Sequence, residues 1–419
     1  MALLVQKFGG TSVANISAIE NVADKVAQEV ANGNQVAVVV SAMSGVTNQL
    51  VGYCEEISDN FCNREYDTVV ASGEQVTSGL LALALQKRGI KARSWMGWQV
   101  PIITDESHRK ARIQRIEIEK MKKHLEEGEV AVLAGFQGIS NDGRISTLGR
   151  GGSDTSAVAM AAALTADRCD IYTDVDGVYT TDPRIAAKAR KIHKISYEEM
   201  LEMASVGAKV LQTRSVEMAM KENVPLQVLS SFAPEIGSML PGTMVVDEDE
   251  IMEKEVVSGV TYTRDEAKVT LRKLKDVPGV AARVFGPLAE ANVNVDMIVQ
   301  NISSEKQKTD ITFTVPLTDM KVTMETLETK LGDLGEPEII CNEDVSKISI
   351  VGIGMRSHAG VAQKMFSTLA EKGINIHVIS TSEIKVSVLI DSAYTELAIR
   401  ALHDAYGLEV EKEEMHAAE

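Results

Sequence analysis

Lys7-Phe8-Gly9-Gly10-Thr11-Ser12 stands between an apolar run, Leu3-Leu4-Val5, and a segment with Ile19, Val22, Ala23, Val26 and Val30 at helical spacing. Ser17 and Glu20 have the spacing of a capping box and mark the expected helix start. Two glycines between a buried strand and a helix mouth leave backbone N–H groups and the helix dipole open to an anion. Lys7 adds a positive charge beside them. This is not the Walker loop, because the lysine precedes the glycines and no Gly-Lys-Ser/Thr follows. A plain βα turn would use the same pair of glycines. The reading as a loop that grips the phosphates of ATP therefore leans on the motifs downstream.

The bulk numbers narrow the field. A chain of 419 residues suggests two to four domains. It is 44% hydrophobic and 25% charged, which is globular, and only 4% aromatic, so the cores should be aliphatic. A net charge of −17 disfavours nucleic acid and anionic membranes as partners, and any anionic substrate then needs locally placed cations. Cys54, Cys62, Cys169 and Cys341 form no CxxC pair, which fits free thiols in a reducing cytosol. The histidines form no ligand cluster, so no metal site is expected. No uninterrupted apolar run approaches the roughly 18 residues of a membrane span, and the N-terminus runs straight into a strand. A cytoplasmic protein with no membrane partner is the expectation.

Up to residue 245, short apolar runs alternate with helical patterns. Strands are expected at Leu3–Lys7, Val36–Ser41, Val130–Phe136, Asp170–Thr173 and Leu226–Leu229; helices at Ser17–Ala31, Glu74–Leu85, Gln114–Glu126 and Asp154–Leu164. Alternation of this kind predicts a mainly parallel sheet between helix layers, with ligands beyond the carboxyl ends of its strands. Ser41-Ala42-Met43-Ser44-Gly45-Val46-Thr47 suits close approach of a ligand. Glu74 could bind an amine or simply favour its helix N-terminus. Gly149-Arg150-Gly151-Gly152-Ser153-Asp154 opens a helix that is almost entirely apolar and hence buried. An arginine there offers a planar fork for a carboxylate. Thr173-Asp174-Val175-Asp176-Gly177-Val178-Tyr179, with Thr181-Asp182-Pro183-Arg184 after it, lacks the later ligands of a calcium loop and suits a nucleotide's base and ribose better. Gly207-Ala208-Lys209-Val210-Leu211 places a second lysine at a helix start.

Together these motifs resemble the aspartate kinase family, whose catalytic part has the amino-acid kinase fold: a carbamate-kinase-like three-layer α/β sandwich with a mainly parallel sheet. The resemblance implies that Lys7, Phe8, Gly9, Gly10 and Ser41 hold the phosphates of ATP. Thr173, Asp174, Tyr179, Asp182, Arg184, Lys209 and Val210 would surround the nucleotide. Thr47, Glu74, Arg150, Gly151, Gly152, Ser153 and Asp154 would hold L-aspartate, with Arg150 on its α-carboxylate and Glu74 near its amine. Lys7, Asp154 and Lys209 would be catalytic, the aspartate orienting the lysines, and Mg²⁺ would arrive with ATP. The chemistry stands on its own terms as well. A β-carboxylate with a reference pKa of about 3.9 is ionised at neutral pH and needs no general base. The site must instead overcome repulsion between two anions, which cations and helix N-termini can do. Two rivals remain open: a glutamate or N-acetylglutamate kinase of the same fold, and a non-catalytic amino-acid-binding regulator.

An acidic run, Asp247-Glu248-Asp249-Glu250, marks a composition break. Beyond it the chain repeats at a spacing of 81: Pro278–Ile298 aligns with Ala359–Ile379 without a gap, with nine of 21 positions identical. Each copy reads as strand, Gly-started helix, two strands and a closing helix, the ferredoxin-like plan. The pair resembles tandem ACT domains. The expected division is a catalytic domain over 1–245, a linker over 246–262, and ACT domains over 263–341 and 342–419, with interleaving allowed. The resemblance implies effector contacts at Asp276, Ala281, Asn294, Val295, Asp296 and Gln300 in the first copy. In the second it implies Val361, Ala362, Asn375, Ile376, Ser382 and Glu383. Feedback inhibition by lysine, threonine or both, in a homodimer or higher oligomer paired through the ACT domains, completes the expectation.

Overall fold

The computed structural model describes residues 1–58, 60–205, 210–251, 255–302, 307–335 and 337–409. The chain forms two compact units: 1–178, 191–205 and 209–253 make the first, and 179–190, 206–208 and 254–419 the second.

The first unit begins with β1 (Leu3–Phe8), α1 (Ile16–Ala31), β2 (Gln35–Val40), α2 (Val46–Ile57), α3 (Asn63–Val70), α4 (Ser72–Lys87) and β3 (Ala92–Trp95). It continues through β4 (Ile102–Thr104), β5 (Ile113–Ile116), α5 (Glu119–Glu126), β6 (Val130–Ala134), β7 (Gln137–Ser140), β8 (Ile145–Thr147), α6 (Gly152–Leu164) and β9 (Arg168–Thr173). It closes with β10 (Lys194–Ser196), α7 (Tyr197–Ser205), α8 (Thr213–Glu222), β11 (Leu226–Ser230) and β12 (Thr243–Val246). Eight strands form one sheet in the order β10-β12-β11-β9-β1-β2-β6-β3. Every pairing in it is parallel except β11 with β12. The strands β1, β2 and β6 are apolar and buried almost throughout, as a sheet covered on both faces requires. A smaller sheet, β5-β4-β7-β8, stands beside it.

Two local readings need correction. Residues 114–126 are not one helix: Ile113–Ile116 is β5, paired to β4, and α5 starts only at Glu119. The cap of α1 is Asn15, whose side chain accepts from the Ala18 N–H at 2.9 Å, not Ser17. Glu20 instead reaches Lys87, the last residue of α4, and Arg88 just beyond it. Among the described residues one helical stretch, Asn63–Lys87, has the length and mean hydropathy (1.2) of a membrane span, and 56% of its apolar window is buried in the fold.

The second unit holds β13 (Gly259–Thr263), β14 (Ala267–Lys275), α9 (Val280–Glu290), β15 (Asp296–Ile302), β16 (Lys308–Val315), α10 (Met320–Lys330) and β17 (Glu338–Asn342). The repeat follows as β18 (Val345–Val351), α11 (Val361–Glu371), β19 (Val378–Thr381), β20 (Lys385–Asp391) and α12 (Thr395–Ala405). The helices α9 and α11 start 81 residues apart, each after a left-handed glycine, Gly279 (φ 88°) and Gly360 (φ 92°). The two sheets are β15-β16-β14-β17 and β13-β18-β20-β19. β13 therefore precedes the first copy in sequence yet pairs with the second, and Val257 and Val260 enter that copy's core. The stretch expected to be a linker thus supplies an edge strand. Tyr179–Arg190 belongs to this unit too. Within it Ile185 packs against the second core, Arg400 donates to the Ile185 carbonyl at 2.9 Å, and the Thr180 hydroxyl meets His403 Nε2 at 3.0 Å.

Candidate active site

The order of the large sheet reverses at β1: the chain runs outward through β2 and β6, then returns to add β9 and β11 on the other side. Ligands of open α/β sheets sit outside the carboxyl ends of strands at such a reversal. Gly9 and Gly10 follow β1 there. A Cβ on Gly10 would crowd the Ala42 carbonyl at 3.0 Å, and one on Gly9 would meet Lys7 Nζ at 3.2 Å. Only glycine lets the backbone lie this close to its neighbours. Thr173 and Asp174 follow β9 on the other side of the reversal, with Phe8 and Tyr172 in register and stacked 4.5 Å apart. Phe8 is fully buried, so only its backbone can face a ligand.

A cleft of about 620 Å³ opens at these strand ends. Of the expected residues it gathers Lys7, Gly10, Ser41, Thr47, Glu74, Arg150, Gly151, Gly152, Ser153 and Asp154. Lys7 Nζ and Asp154 Oδ1 form an ion pair at 2.6 Å, both nearly buried. Asp154 lies in the first turn of α6, where a carboxylate also meets the positive end of the dipole. Ser41 N donates to the Phe8 carbonyl and Ser44 N to that of Gly10, which binds the loop after β2 to the glycine turn. Arg150 is exposed and has no carboxylate partner among the described residues.

Glu74 is 3% exposed in α4. Its Oε1 accepts from the Ala42 N–H at 3.1 Å, and its buried Oε2 has no partner. Burial pushes its carboxyl up to about 7, against the opposing pull of the Ala42 bond. A buried carboxylate with one free oxygen facing a cleft is short of a cation, and a substrate ammonium has the complementary chemistry. Its helix position alone does not account for it.

Other expectations fall elsewhere. Lys209 lies outside the described residues, and Val210 is in the turn before α8. Tyr179, Asp182 and Arg184 belong to the second unit, where Arg184 pairs with Asp182 at 2.8 Å. Among the effector candidates, Asp276 begins the loop after β14 and is exposed, Ala281 and Val361–Ala362 lie in the first turns of α9 and α11, and Asn294–Val295 and Asn375–Ile376 occupy equivalent turns. Gln300 is on β15, and Ser382 and Glu383 are in the exposed turn before β20. Asp296 already holds a cation: Lys347, nearly buried on β18, binds it at 2.8 Å and also binds Glu266. Those charges keep the Asp296 carboxyl below its ordinary range despite the opposing effect of burial.

Several cleft residues carried no motif. Phe136 adopts a left-handed backbone (φ 67°), a strained state for an aromatic residue, and lines the cleft. Arg109, also left-handed, stacks over Tyr66 with its guanidinium 4.6 Å from the ring centre. Asp67 is fully buried beneath both Arg109 and Thr147. Nothing in the sequence singled out Asp67, Phe136 or Arg109, whose roles come from tertiary contacts and backbone conformation.

Comparison with known proteins identifies the family. The amino acid kinase family model matches residues 2–230, and an ACT domain model matches twice, at 272–331 and 348–406. The chain belongs to the amino acid kinase family, with a repeated ACT module at its C-terminal end. Within that class it belongs to the aspartate kinases: it is 54% identical to an aspartate kinase of Pseudomonas putida over 98% of both chains, and 54% identical to an aspartokinase of Pseudomonas aeruginosa over the same shares. Among solved structures it resembles aspartokinase III of E. coli in complex with aspartate and ADP, with a TM-score of 0.79 and 28% identity over 96% of this chain and 99% of that one. The same enzyme in complex with lysine and aspartate matches with a TM-score of 0.75 at 27% identity, over the same shares.

Proposed function

We propose that this protein transfers the γ-phosphoryl group of ATP to the β-carboxylate of L-aspartate, giving 4-phospho-L-aspartate and ADP, under feedback control through its ACT repeat. The observation that carries the reading is the cleft itself. It joins a lysine–aspartate pair at a glycine turn with an unpaired arginine and a buried carboxylate lacking one partner. The α-carboxylate and ammonium of an amino acid complement the last two, and a polyphosphate complements the first.

The reaction forms one P–O bond to the carboxylate oxygen and breaks the one to the ADP oxygen, with no proton moved. Lys7 neutralises charge on the transferring group, and Asp154 holds Lys7 in place while the dipole of α6 adds to the field. Glu74 receives the substrate ammonium, and Arg150 its α-carboxylate. Gly9 and Gly10 offer backbone to the phosphates and Ser41 its hydroxyl, and Thr173, Asp174, Lys209 and Val210 are assigned to the nucleotide. Among the described residues no group of three or more His, Cys, Asp or Glu could hold a metal. Magnesium is assigned to the nucleotide's own phosphates as part of the substrate. Effector amino acids are assigned to the ACT repeat, and pairing of that repeat between subunits to a homodimer or larger oligomer.

Arg150→Ala tests the acceptor side. The KM for aspartate should rise on the order of a hundredfold, as expected for loss of a charged, bidentate contact. An unchanged KM for aspartate would contradict the assignment.

A further inference from the structure

Two charged side chains outside the reacting groups converge on the strand that delivers Arg150. Asp67, on α3, is wholly buried and gives its carboxylate to four donors. His108 Nδ1 donates at 2.7 Å, Thr147 N at 3.0 Å, Thr147 Oγ1 at 2.7 Å, and Arg109 N at 3.1 Å. Arg214, at the second position of α8, donates from Nη1 to the Leu148 carbonyl and from Nη2 to the Ala111 carbonyl, both at 2.8 Å. Ala111 N in turn donates to the Thr147 carbonyl at 2.9 Å. An acid and a base thus grip successive residues, Thr147 and Leu148, immediately ahead of Gly149-Arg150-Gly151.

That placement is expensive. A buried charge is normally offset by a charge of opposite sign, and a half-buried guanidinium bound only to carbonyls forgoes the best partner it could have. Burial accordingly holds Arg214 below the ordinary arginine range, though still a cation. The turn that follows gains most from such anchoring. Gly149 (φ 78°) and Gly151 (φ 65°) are both left-handed, and a Cβ on Gly151 would overlap the Gln212 side chain. A turn of glycines has little rigidity of its own. Its one long side chain, Arg150, points its usefulness at whatever direction the flanking residues impose.

We propose that Asp67 and Arg214 are positioning residues for the kinase reaction: together they fix the turn between β8 and α6 so that the Arg150 guanidinium meets the substrate carboxylate in bidentate geometry. This rests on the assignment of Arg150 above. Neither residue touches the reacting atoms; each acts through Arg150.

A double-mutant cycle in the full-length protein tests it. Arg214→Met should raise the aspartate KM by about tenfold or more, since a displacement near 1 Å costs that much in a directional contact. The ATP KM should move by no more than about twofold. Arg214→Lys, which keeps one charged donor, should recover part of the loss, and Asp67→Asn, nearly isosteric, should mimic Arg214→Met. In an Arg150→Ala background the second substitution should add less than about a twofold further loss in kcat/KM for aspartate. Losses that multiply with Arg150→Ala, or that fall equally on ATP and aspartate, would show a general structural role and overturn the proposal. An aspartate kcat/KM that Arg214→Met leaves intact would overturn it too. If Arg150→Ala itself leaves aspartate KM unchanged, the substrate assignment fails first and is distinguishable from failure of the clamp alone. Should Arg214→Met not fold, as judged by its melting temperature, Arg214→Lys and Asp67→Asn carry the same cycle.

Discussion

Lys7 and Glu74 show how one cleft sets opposite demands on two buried ions. Lys7 is paired internally with Asp154 at 2.6 Å. Lys7→Ala should lower kcat roughly 10²- to 10³-fold, the range for removing one group that stabilises a developing charge. Steady-state kinetics check this: kcat and kcat/KM falling together would agree, and a change confined to KM would argue that the lysine only binds ATP. Glu74 is left uncompensated, and its carboxyl is pushed up to about 7 by burial. The sign follows directly. Because the folded protein holds this proton more tightly than the unfolded chain, ionising Glu74 opposes folding, and that stability is lost as pH rises from about 4.5 through about 7. A substrate ammonium needs the ionised form. The aspartate KM should therefore fall as pH rises from about 6 to about 8, and Glu74→Gln should weaken binding and flatten the profile. A profile unchanged in Glu74→Gln would assign the titration to another group.

At the scale of elements, the repeat makes paired predictions. Leu288 on α9 and Leu369 on α11 are 81 residues apart and both fully buried, each in its own core. Leu288→Ala and Leu369→Ala should each cost about 2–5 kcal/mol, measured by denaturant unfolding. Val260→Asp, in β13, should destabilise the second copy rather than the first, which it directly precedes, and hydrogen exchange can resolve this strand by strand. The repeat, the βα alternation and the buried helix α6 were legible because each depends on periodicity within one segment. Interleaving was left open because an edge strand chooses its partner by long-range packing: nothing in Gly259–Thr263 says whether β14 or β18 will accept it. The helix misread over 114–126 has a similar cause. Ile118, Met121 and Leu125 satisfy helical spacing, yet Ile113–Ile116 just ahead of them is claimed by β4 as a strand. Of the cleft, Lys7, Gly10, Ser41, Thr47, Glu74 and Arg150 to Asp154 lie on stretches legible in the sequence. Those defined by what they anchor, such as Arg214 with its two carbonyl partners, come from tertiary structure alone.

Across the whole molecule, the cleft proposed for catalysis and the ACT repeat lie in different compact units of one chain. Feedback then requires two states that differ in affinity for an effector. Lysine or threonine should inhibit the intact enzyme, and a chain ended before Met252 should lose that response; saturating both amino acids without effect on the intact enzyme would exclude feedback by either. The segment Tyr179–Arg190 lies within the sequence of the catalytic part but packs with the ACT unit, so the two units are not independent along the chain. The most direct test of the account is hydroxylamine trapping of the acyl phosphate formed by the full-length protein with ATP and magnesium. The prediction is an aspartyl hydroxamate that forms with L-aspartate, is lost in Lys7→Ala, and is not matched by glutamate or N-acetylglutamate. ADP release with aspartate but no hydroxamate, or a hydroxamate formed as readily from glutamate, would contradict it.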